Sequence, residues 1–573
     1  MSKSITAELE PLFNPRSVAV VGATNNRNKW GFSTFSSALD GFAGPVYPVN
    51  NKEPEVLGHK AYTRVTEIPH PVDMVIFVIP APFVASVMED CVAKGVKAAV
   101  IISAGFAETG PEGKKLQDEV LRIAQKGNIR FVGPNCMGMW SASSELRAFM
   151  FPMLVMDGSL ALVSQGGNVG GAIVMTGYEV GLGFHRYVSC GCAADIQIED
   201  YIEHFGEDPK VKVILAYIEG LSHGERFLEK VRKVTPNKPV IVLKPGKTTA
   251  AAKAISSHSG ALAGSNEAYD AAFKSIGVVR ADTVDEMLDI AIGFLTQPLP
   301  RGRNVAILTP GGSYGVLCAD DCASQGLNVL TLPKKVIDAL DKVFPPRWSH
   351  GNPVDPAGDR NFISYLTAPE KLLNVDEVDA LIFMGLGGFS IFAPLVLSAG
   401  SGSLPDLATL FRSRHGPDDN RPTLETAIIS RDTSKVAGAV LPIVKAFATM
   451  LDIQDEDEIS MHTQLIARAI ASGRINPAAV VSPFQQARSA INSGSQDDLR
   501  NMMVDSSANF LAALAEQMVA DYHKPVLTTT FGEGKPKLRG WHYSYPSGRQ
   551  AARVLAKMVE YKEYLERIGA YKS

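Results

Sequence analysis

Short apolar runs punctuate much of the chain, and each ends in a glycine or a small residue. "SVAVVGA", "VDMVIFVIPA", "KAAVIISAGF", "SLALVSQGG", "VKVILAYIEG", "KPVIVLKPG", "NVAILTPGG" and "VDALIFMGLGG" follow one another, with helical patterns after them. Runs that are apolar almost throughout predict strands covered on both faces. Their alternation with helices predicts an α/β protein of doubly wound parallel sheets. Ligands in such folds meet the carboxyl ends of the strands, where these glycines lie.

The series restarts twice, which divides the chain. A first unit occupies 1–145, and a second, opening at "GSLALVSQGG", occupies 146–298. The Pro/Arg linker "TQPLPRGRN" precedes a third, 303–573. Between about 395 and 520 polar segments such as "EDEISMHTQLIARAIASGRI" replace the strands, which predicts a mainly helical insertion before "HKPVLTTTFGEG" resumes the sheet.

Composition narrows the function. Of 573 residues 46% are apolar, enough for several cores, and 56 basic residues against 60 acidic ones give a net charge of −4. That balance lacks the basic excess of a nucleic-acid binder or of a protein held to anionic membranes, so neither partner is expected. Any anion must be held by backbone geometry and single side chains. The six cysteines, Cys91, Cys136, Cys190, Cys192, Cys318 and Cys322, form no C-x-x-C pair, which predicts a reduced, cytoplasmic protein with no structural zinc or other metal. The opening "MSKSITAELEPLFNPRSVAVVG" has no apolar signal core, and no apolar run is long enough to span a membrane.

Four strand ends carry candidate chemistry. In "SVAVVGATNNRNKWG" a strand runs into Gly22 and a polar loop, where backbone N–H groups and a helix N-terminus could meet phosphate. It is not a G-x-G-x-x-G fingerprint. The next strand, "GPVYPVNNKE", ends in Asn50, Asn51 and Lys52, where a dinucleotide site places a carboxylate for the ribose hydroxyls. This argues against a nicotinamide oxidoreductase. Lys52 is either a solvated strand end or a partner for an extra phosphate, such as the 3′-phosphate of coenzyme A. In "LVSQGGNVGGAIV", Ser164, Gln165, Gly166 and Gly167 could offer N–H groups at a helix start, or simply pack helix on strand. "VILAYIEGL" ends in Glu219, at the ligand edge of its sheet or on a surface turn.

A lone histidine, His258, lies among serines, glycines and alanines in "AISSHSGALAGS". It is either a solvated loop residue or a nucleophile whose small neighbours leave room for a bulky group. In the second case Glu219 would fix the imidazole tautomer, the helix start near Gly167 would hold a phosphoryl group, and a phosphohistidine relay results.

Taken together, "VGAT", "GPVYPVN", "VIPAP", "SAGFAETG", "GPNCMG", "LVSQGGNVGGAI", "YIEG", "LKPGKT", "SHSGALAGS" and "YDAAF" resemble the NDP-forming acyl-CoA synthetases, relatives of succinyl-CoA synthetase. "TPGGSYGVLCADDCASQGL", "GNPVDPAGD" and "YPSGRQAARVLAKMVEYKEYL" resemble that family's third domain. The resemblance covers nearly all of the chain outside about 395–520. It implies a Rossmann-like CoA-binding domain followed by two flavodoxin-like ligase domains. It also implies interconversion of a small carboxylic acid, CoA and NTP with acyl-CoA, NDP and phosphate, through an acyl phosphate.

By motif match His258 is the phosphohistidine and Glu219 its orienting carboxylate. Gly22, Ala23, Thr24, Asn50, Lys52, Ile79 and Pro80 match CoA-contacting positions, and Ser164 to Gly167 match the phosphate-holding helix start. Three departures stand out. The family's "SQSG" is here "SQGG", so a hydroxyl is missing at 166, and its "SLGN" is here "SCGC", beside the acyl pocket of relatives. No stretch resembles the ATP-grasp module that takes Mg-ATP or Mg-GTP, which implies a separate ATP-grasp beta-type subunit in a hetero-oligomer. An alternative is a catalytically inactive CoA- or acyl-CoA-binding regulatory protein. Retention of both His258 and Glu219 argues against it, and the substitutions at 166 and 192 argue for it.

Overall fold

The computed structural model describes residues 5–248, 266–358, 362–385, 432–438, 514–530 and 542–571, with single positions between them. The insertion expected at about 395–520 therefore lies largely outside the described residues, and His258 lies outside them altogether.

The apolar runs form strands as their composition predicts. β1 (Val18–Val21), β2 (Val46–Val49), β3 (Met74–Phe77), β4 (Ala98–Ile101) and β5 (Arg130–Val132) make an all-parallel sheet of order β2-β1-β3-β4-β5. Every residue of β1, β3 and β4 is buried, as a sheet covered on both faces requires. The covering helices have local reasons to start and stop. Pro111 opens the helix Pro111–Lys126 in the first turn, where its missing N–H costs nothing, and Glu112 sits there in favour of the helix dipole.

The second sheet consists of β6 (Gly138–Ser141), β7 (Leu146–Phe149), β8 (Leu160–Ser164), β9 (Phe184–Ser189), β10 (Val213–Tyr217), β11 (Val240–Leu243) and β12 (Val279–Ala281). Its order is β12-β11-β10-β8-β9-β6-β7, parallel except for the β6–β7 hairpin and the β6–β9 pair. The sheet thus reaches back into the range 1–145: Gly138–Ser141 pairs with Arg186–Ser189. The reason is topological, since a four-residue run inside a glycine-rich stretch carries no mark of its antiparallel partner.

Both sheets share one apolar core, from Leu9 and Phe13 through Val20 and Val163 to Tyr201 and Phe205. Residues 1–291 and 563–573 accordingly form one compact unit, and 292–562 form another. The second unit holds β13 (Asn304–Leu308), β14 (Asn328–Val329), β15 (Ala380–Phe383), β16 (Val526–Thr529) and β17 (Ser544–Tyr545), in the parallel order β14-β13-β15-β16-β17. Its core gathers Leu308, Trp348, Leu381 and Val526. β15 and β16 are neighbours in the sheet although the expected insertion separates them in the chain.

Candidate active site and CoA-binding edge

The order β11-β10-β8 brings three strand ends side by side at one edge of the second sheet. β8 leads into the helix Gly167–Val180, β10 into Ile218–Gly220, and β11 into Lys244–Pro245. The backbone N–H of Gln165 donates to Tyr217 O at 3.1 Å, which extends the ladder past β8. Its side chain then ties the two loops together. The Gln165 amide oxygen accepts the N–H groups of Glu219 and Gly220, and its Nε2 donates to Gly220 O at 2.8 Å.

Ser164 is fully buried, and its Oγ donates to Gly166 O at 2.7 Å. Ser164 and Gln165 therefore build the turn; the Gln165 N–H and the Ser164 hydroxyl are engaged within the fold. The Gln165 N–H, expected to be offered to phosphate, is thus taken up by the sheet, and Gly166 and Gly167 remain at the helix start. Gly166 occupies the N-cap position with extended backbone. It is crowded: a Cβ there would lie 2.8 Å from Tyr217 Cε1 and 3.2 Å from Glu219 Oε1.

Glu219 is 7% exposed. Its carboxylate lies near the Tyr217 ring, both of them against Gly166. Burial first, and the adjacent carboxylate second, push the Tyr217 phenol up to about 12, so it stays a donor across the physiological range. Beneath the turn Lys244 is buried, with Nζ donating to Glu219 O and Pro245 O at 2.8 Å each and lying 4.7 Å from the Tyr269 ring centroid. Burial, with Arg280 adding to it, lowers the Lys244 pKa. Sequence reasoning missed Tyr217 and Lys244. The quoted runs "YIEG" and "LKPG" contain them, but nothing in spacing says that adjacent strands bring them to one turn. The segment carrying position 258 leaves the sheet at the end of β11, the strand next to the one that carries Glu219.

The second group of expected residues lies at the edge of the first sheet. Gly22 follows β1 at φ +93°, and a Cβ would stand 2.3 Å from Val78 O and 2.9 Å from Ile79 Cγ2. Only glycine combines that conformation with so close an approach. Asn50 shapes the end of β2: its Nδ2 donates to Ala23 O at 2.7 Å, and its Oδ1 accepts the N–H groups of Lys52 at 2.8 Å and Glu53 at 3.1 Å. Glu53 closes the loop from the other side, accepting the Thr24 hydroxyl, the Asn25 N–H at 2.9 Å and the Asn25 amide at 2.8 Å. The Thr24 hydroxyl first, then the Asn25 N–H, holds the Glu53 carboxyl below the usual carboxylate range.

The loop N–H groups expected to meet phosphate are thus engaged: Gly22 with Val49 O, Asn25 with Glu53 and Asn26 with Thr24 Oγ1. The exposed side chains of Arg27, Lys29 and Lys52 remain as cations at this edge. Ile79 is half-buried, its N–H donating to Ser103 Oγ at 3.2 Å, and Pro80 is exposed. Trp30, which opens the following helix, is 53% exposed.

A third cluster joins the two sheets inside the first unit. Glu108 accepts the N–H groups of Gly105 and Phe106, and the Cys192 thiol reaches Glu108 Oε2 at 3.5 Å. The backbone N–H of Cys192 donates to Pro134 O at 3.0 Å. Burial first, then Glu108, pushes the Cys192 thiol up to about 12, so it is a structural donor and not a ready thiolate. Cys136 and Cys190 are buried. Among the described residues no cluster of His, Cys, Asp or Glu could hold a metal, and no helix is long and apolar enough to cross a membrane.

Comparison with known proteins assigns the domains that carry these edges. Residues 16–141 match a CoA binding domain, 157–294 the succinyl-CoA ligase like flavodoxin domain, and 305–400 a ligase-CoA domain. The alpha subunit of acetate–CoA ligase [ADP-forming] II from Pyrococcus furiosus is 43% identical over 374 residues, 65% of this chain and 81% of that one. Acetate–CoA ligase [ADP-forming] of Methanocaldococcus jannaschii is 38% identical over 61% of this chain and 49% of its own length. The dinucleotide-forming acetyl-coenzyme A synthetase 1 of Ca. Korarchaeum cryptofilum, solved with phosphate and ADP, aligns with a TM-score of 0.62 at 30% identity. That alignment covers 82% of this chain and 99% of that one. The chain belongs to the family of ADP-forming acetate–CoA ligases, alongside their alpha subunits.

Proposed function

We propose that the chain is the CoA-binding subunit of an NDP-forming acid–CoA ligase that works with a separate ATP-grasp subunit. The observation that carries this is Glu219, nearly buried, its backbone held by Gln165 and Lys244 and its carboxylate beside the helix start at Gly166. The match of three domains in ligase order supports it.

In the forward direction the terminal phosphoryl group of an NTP passes to the imidazole of His258, and NDP leaves. The carboxylic acid takes that phosphoryl group from the imidazole and becomes an acyl phosphate. The thiol of CoA attacks the acyl carbon, the C–O bond to phosphate breaks, the thiol proton is lost, and inorganic phosphate departs. Glu219 accepts the N–H of the imidazole and directs the opposite nitrogen at phosphorus. Gly166 and Gly167, at the positive end of the helix Gly167–Val180, hold the transferred phosphoryl oxygens. Lys52, with Arg27 and Lys29, meets the phosphates of CoA.

The test is intact mass under neutral conditions. The chain is combined with its ATP-grasp partner and given Mg²⁺ and ATP or, separately, acyl-CoAs with phosphate. An acid-labile phosphoryl adduct that is absent from His258→Ala is the expected result, and the acyl-CoA that produces it names the acid. No adduct from either direction, with CoA binding intact, would refute the ligase reading.

A further inference from the structure

Glu108 stands where the two sheets of the first unit meet. A short turn after β4, Ala107–Thr109, carries it, and the backbone there fixes it. Both carboxylate oxygens accept the Phe106 N–H at 3.1 Å, and Oε1 accepts that of Gly105 as well. Oε2 alone receives the Cys192 thiol, at 3.5 Å, from the loop after β9. That loop also rests on the end of β5: the Cys192 N–H donates to Pro134 O at 3.0 Å, and a Cβ at Gly191 would lie 2.3 Å from the same oxygen. A few residues on, Met137 abuts the helix start, where a Cβ at Gly167 would lie 2.3 Å from Met137 Cγ. One run of contacts therefore leads from Glu108 to the start of the helix Gly167–Val180. Glu219 lies on the other side of that start, because β8 stands between β9 and β10.

We infer that Glu108 is a catalytic residue: its carboxylate takes the proton of the CoA thiol as sulfur attacks the acyl carbon. This rests on the ligase reading above and names the proton acceptor that it leaves open. The strand order β2-β1-β3-β4-β5 sets Asn50 and Lys52, then Gly22, then Ile79, then the Glu108 turn along one edge of the first sheet. Three strand spacings, about 14 Å, separate β2 from β4. Coenzyme A is a nucleotide with its thiol at the far end of a long arm. With its phosphates at Lys52, the arm crosses the ends of β1 and β3 and brings the thiol to β4. The S–C bond forms, the C–O bond breaks with its electron pair going to phosphate, and the proton passes from Glu108 to water. The Cys192 thiol shows that this oxygen accepts from S–H, and a thiol is a weak enough donor to give way to another.

The experiment compares the parent with Glu108→Gln, each combined with the ATP-grasp partner. It measures phosphoenzyme formation from Mg-ATP and, separately, from acetyl-CoA with inorganic phosphate, then forward turnover and KM for CoA against pH. Only the acetyl-CoA route breaks the thioester, and there Glu108 must return the proton to sulfur. The expected result for Glu108→Gln is a parental rate from Mg-ATP and a loss of about 100-fold or more from acetyl-CoA. KM for CoA should stay within about twofold of the parent. Without a base the variant depends on thiolate already present, so its turnover should rise about tenfold per pH unit toward the thiol's own pKa, about 8.5 in a free cysteine. Turnover of the parent should stay level, within about threefold, between about pH 6.5 and 8.

A parental rate from acetyl-CoA in Glu108→Gln removes the role of Glu108 and leaves the ligase reading standing. Equal losses by both routes, or a loss without the new pH dependence, would mean that the carboxylate only closes its own turn. A parent that forms no phosphoenzyme by either route removes the ligase reading, and this inference with it. Should Glu108→Gln not fold, the parent's own pH profile decides. Turnover that climbs about tenfold per pH unit from neutrality would show that no base assists the thiol, and would overturn the inference.

Discussion

The side-chain oxygen of Gln165 accepts the backbone N–H of Glu219, although 54 residues separate them. The adjacent N–H of Gly220 shares the same acceptor at 3.0 Å. Gln165→Ala leaves both donors without that partner in a buried turn, a loss of about 1–3 kcal/mol for each. The melting temperature should fall by several degrees and turnover by at least about 10-fold. Thermal melts beside steady-state rates check this. A variant with normal rates would show that the turn holds its shape without the bridge.

At the first sheet, Glu53 secures the loop after Gly22 through Thr24 and Asn25. Glu53→Ala should weaken CoA binding about 5- to 20-fold by freeing that loop. The carboxyl is held below its usual range, so the bonds persist at neutral pH and are lost only as pH falls through that lowered value. Calorimetric titration of CoA from about pH 7 down to about pH 5 should therefore show the loop's contribution undiminished. Lys52→Ala should weaken CoA more than 3′-dephospho-CoA, and equal losses would move the 3′-phosphate elsewhere.

Trp30 gives the same edge an optical reporter. It is 53% exposed, whereas Trp140 and Trp348 are 4% and 2% exposed. CoA should quench the emission, and Trp30→Phe should abolish the quench and loosen binding about fivefold. A quench that persists in Trp30→Phe would place the ring system against another part of the protein.

A pH effect on stability should arise away from the site. His204 stacks on Phe13 at 4.6 Å and is 4% exposed. Burial, and then Arg186, lower its pKa to about 4. The unfolded chain binds the proton near pH 6.5, so stability is lost as pH falls from about 6.5 to about 4 and the loss levels off below that. The difference amounts to about 3 kcal/mol from this one group. His204→Phe should flatten the stability curve in that window, read by denaturant titration at a series of pH values. An unchanged slope would assign it to other groups.

The strand series was legible in the sequence because an apolar run ending in glycine suits a strand covered on both faces and little else. Gly22 and Glu219 were legible for a related reason: each terminates such a run, and a doubly wound sheet uses that edge. Gln165 was read as a backbone donor, and its side-chain bridge was invisible, because that bridge depends on β8 and β10 being neighbours. Tyr217 and Lys244 were hidden in the same way. Glu53 escaped notice because the expected ribose carboxylate would sit at the strand end itself; a carboxylate three residues beyond Asn50 instead closes the loop. The antiparallel β6 lay inside what reads as a connecting segment, and only its partner β9 defines it.

The order of the second sheet also bears on how the protein is made. After β6 and β7, β8 is synthesised, then β9 on one side of it, then β10 and β11 on the other. The Glu219 turn gains Gln165 when β10 docks and Lys244 only when β11 does. Position 258 follows β11 in the chain, so during translation the histidine proposed as the nucleophile emerges after the Glu219 turn and both of its backbone supports. A nascent chain that stalls before Lys244 would carry the whole stretch that matches a CoA binding domain, an unfinished Glu219 turn and no His258. Such a fragment could sequester CoA without committing it to chemistry.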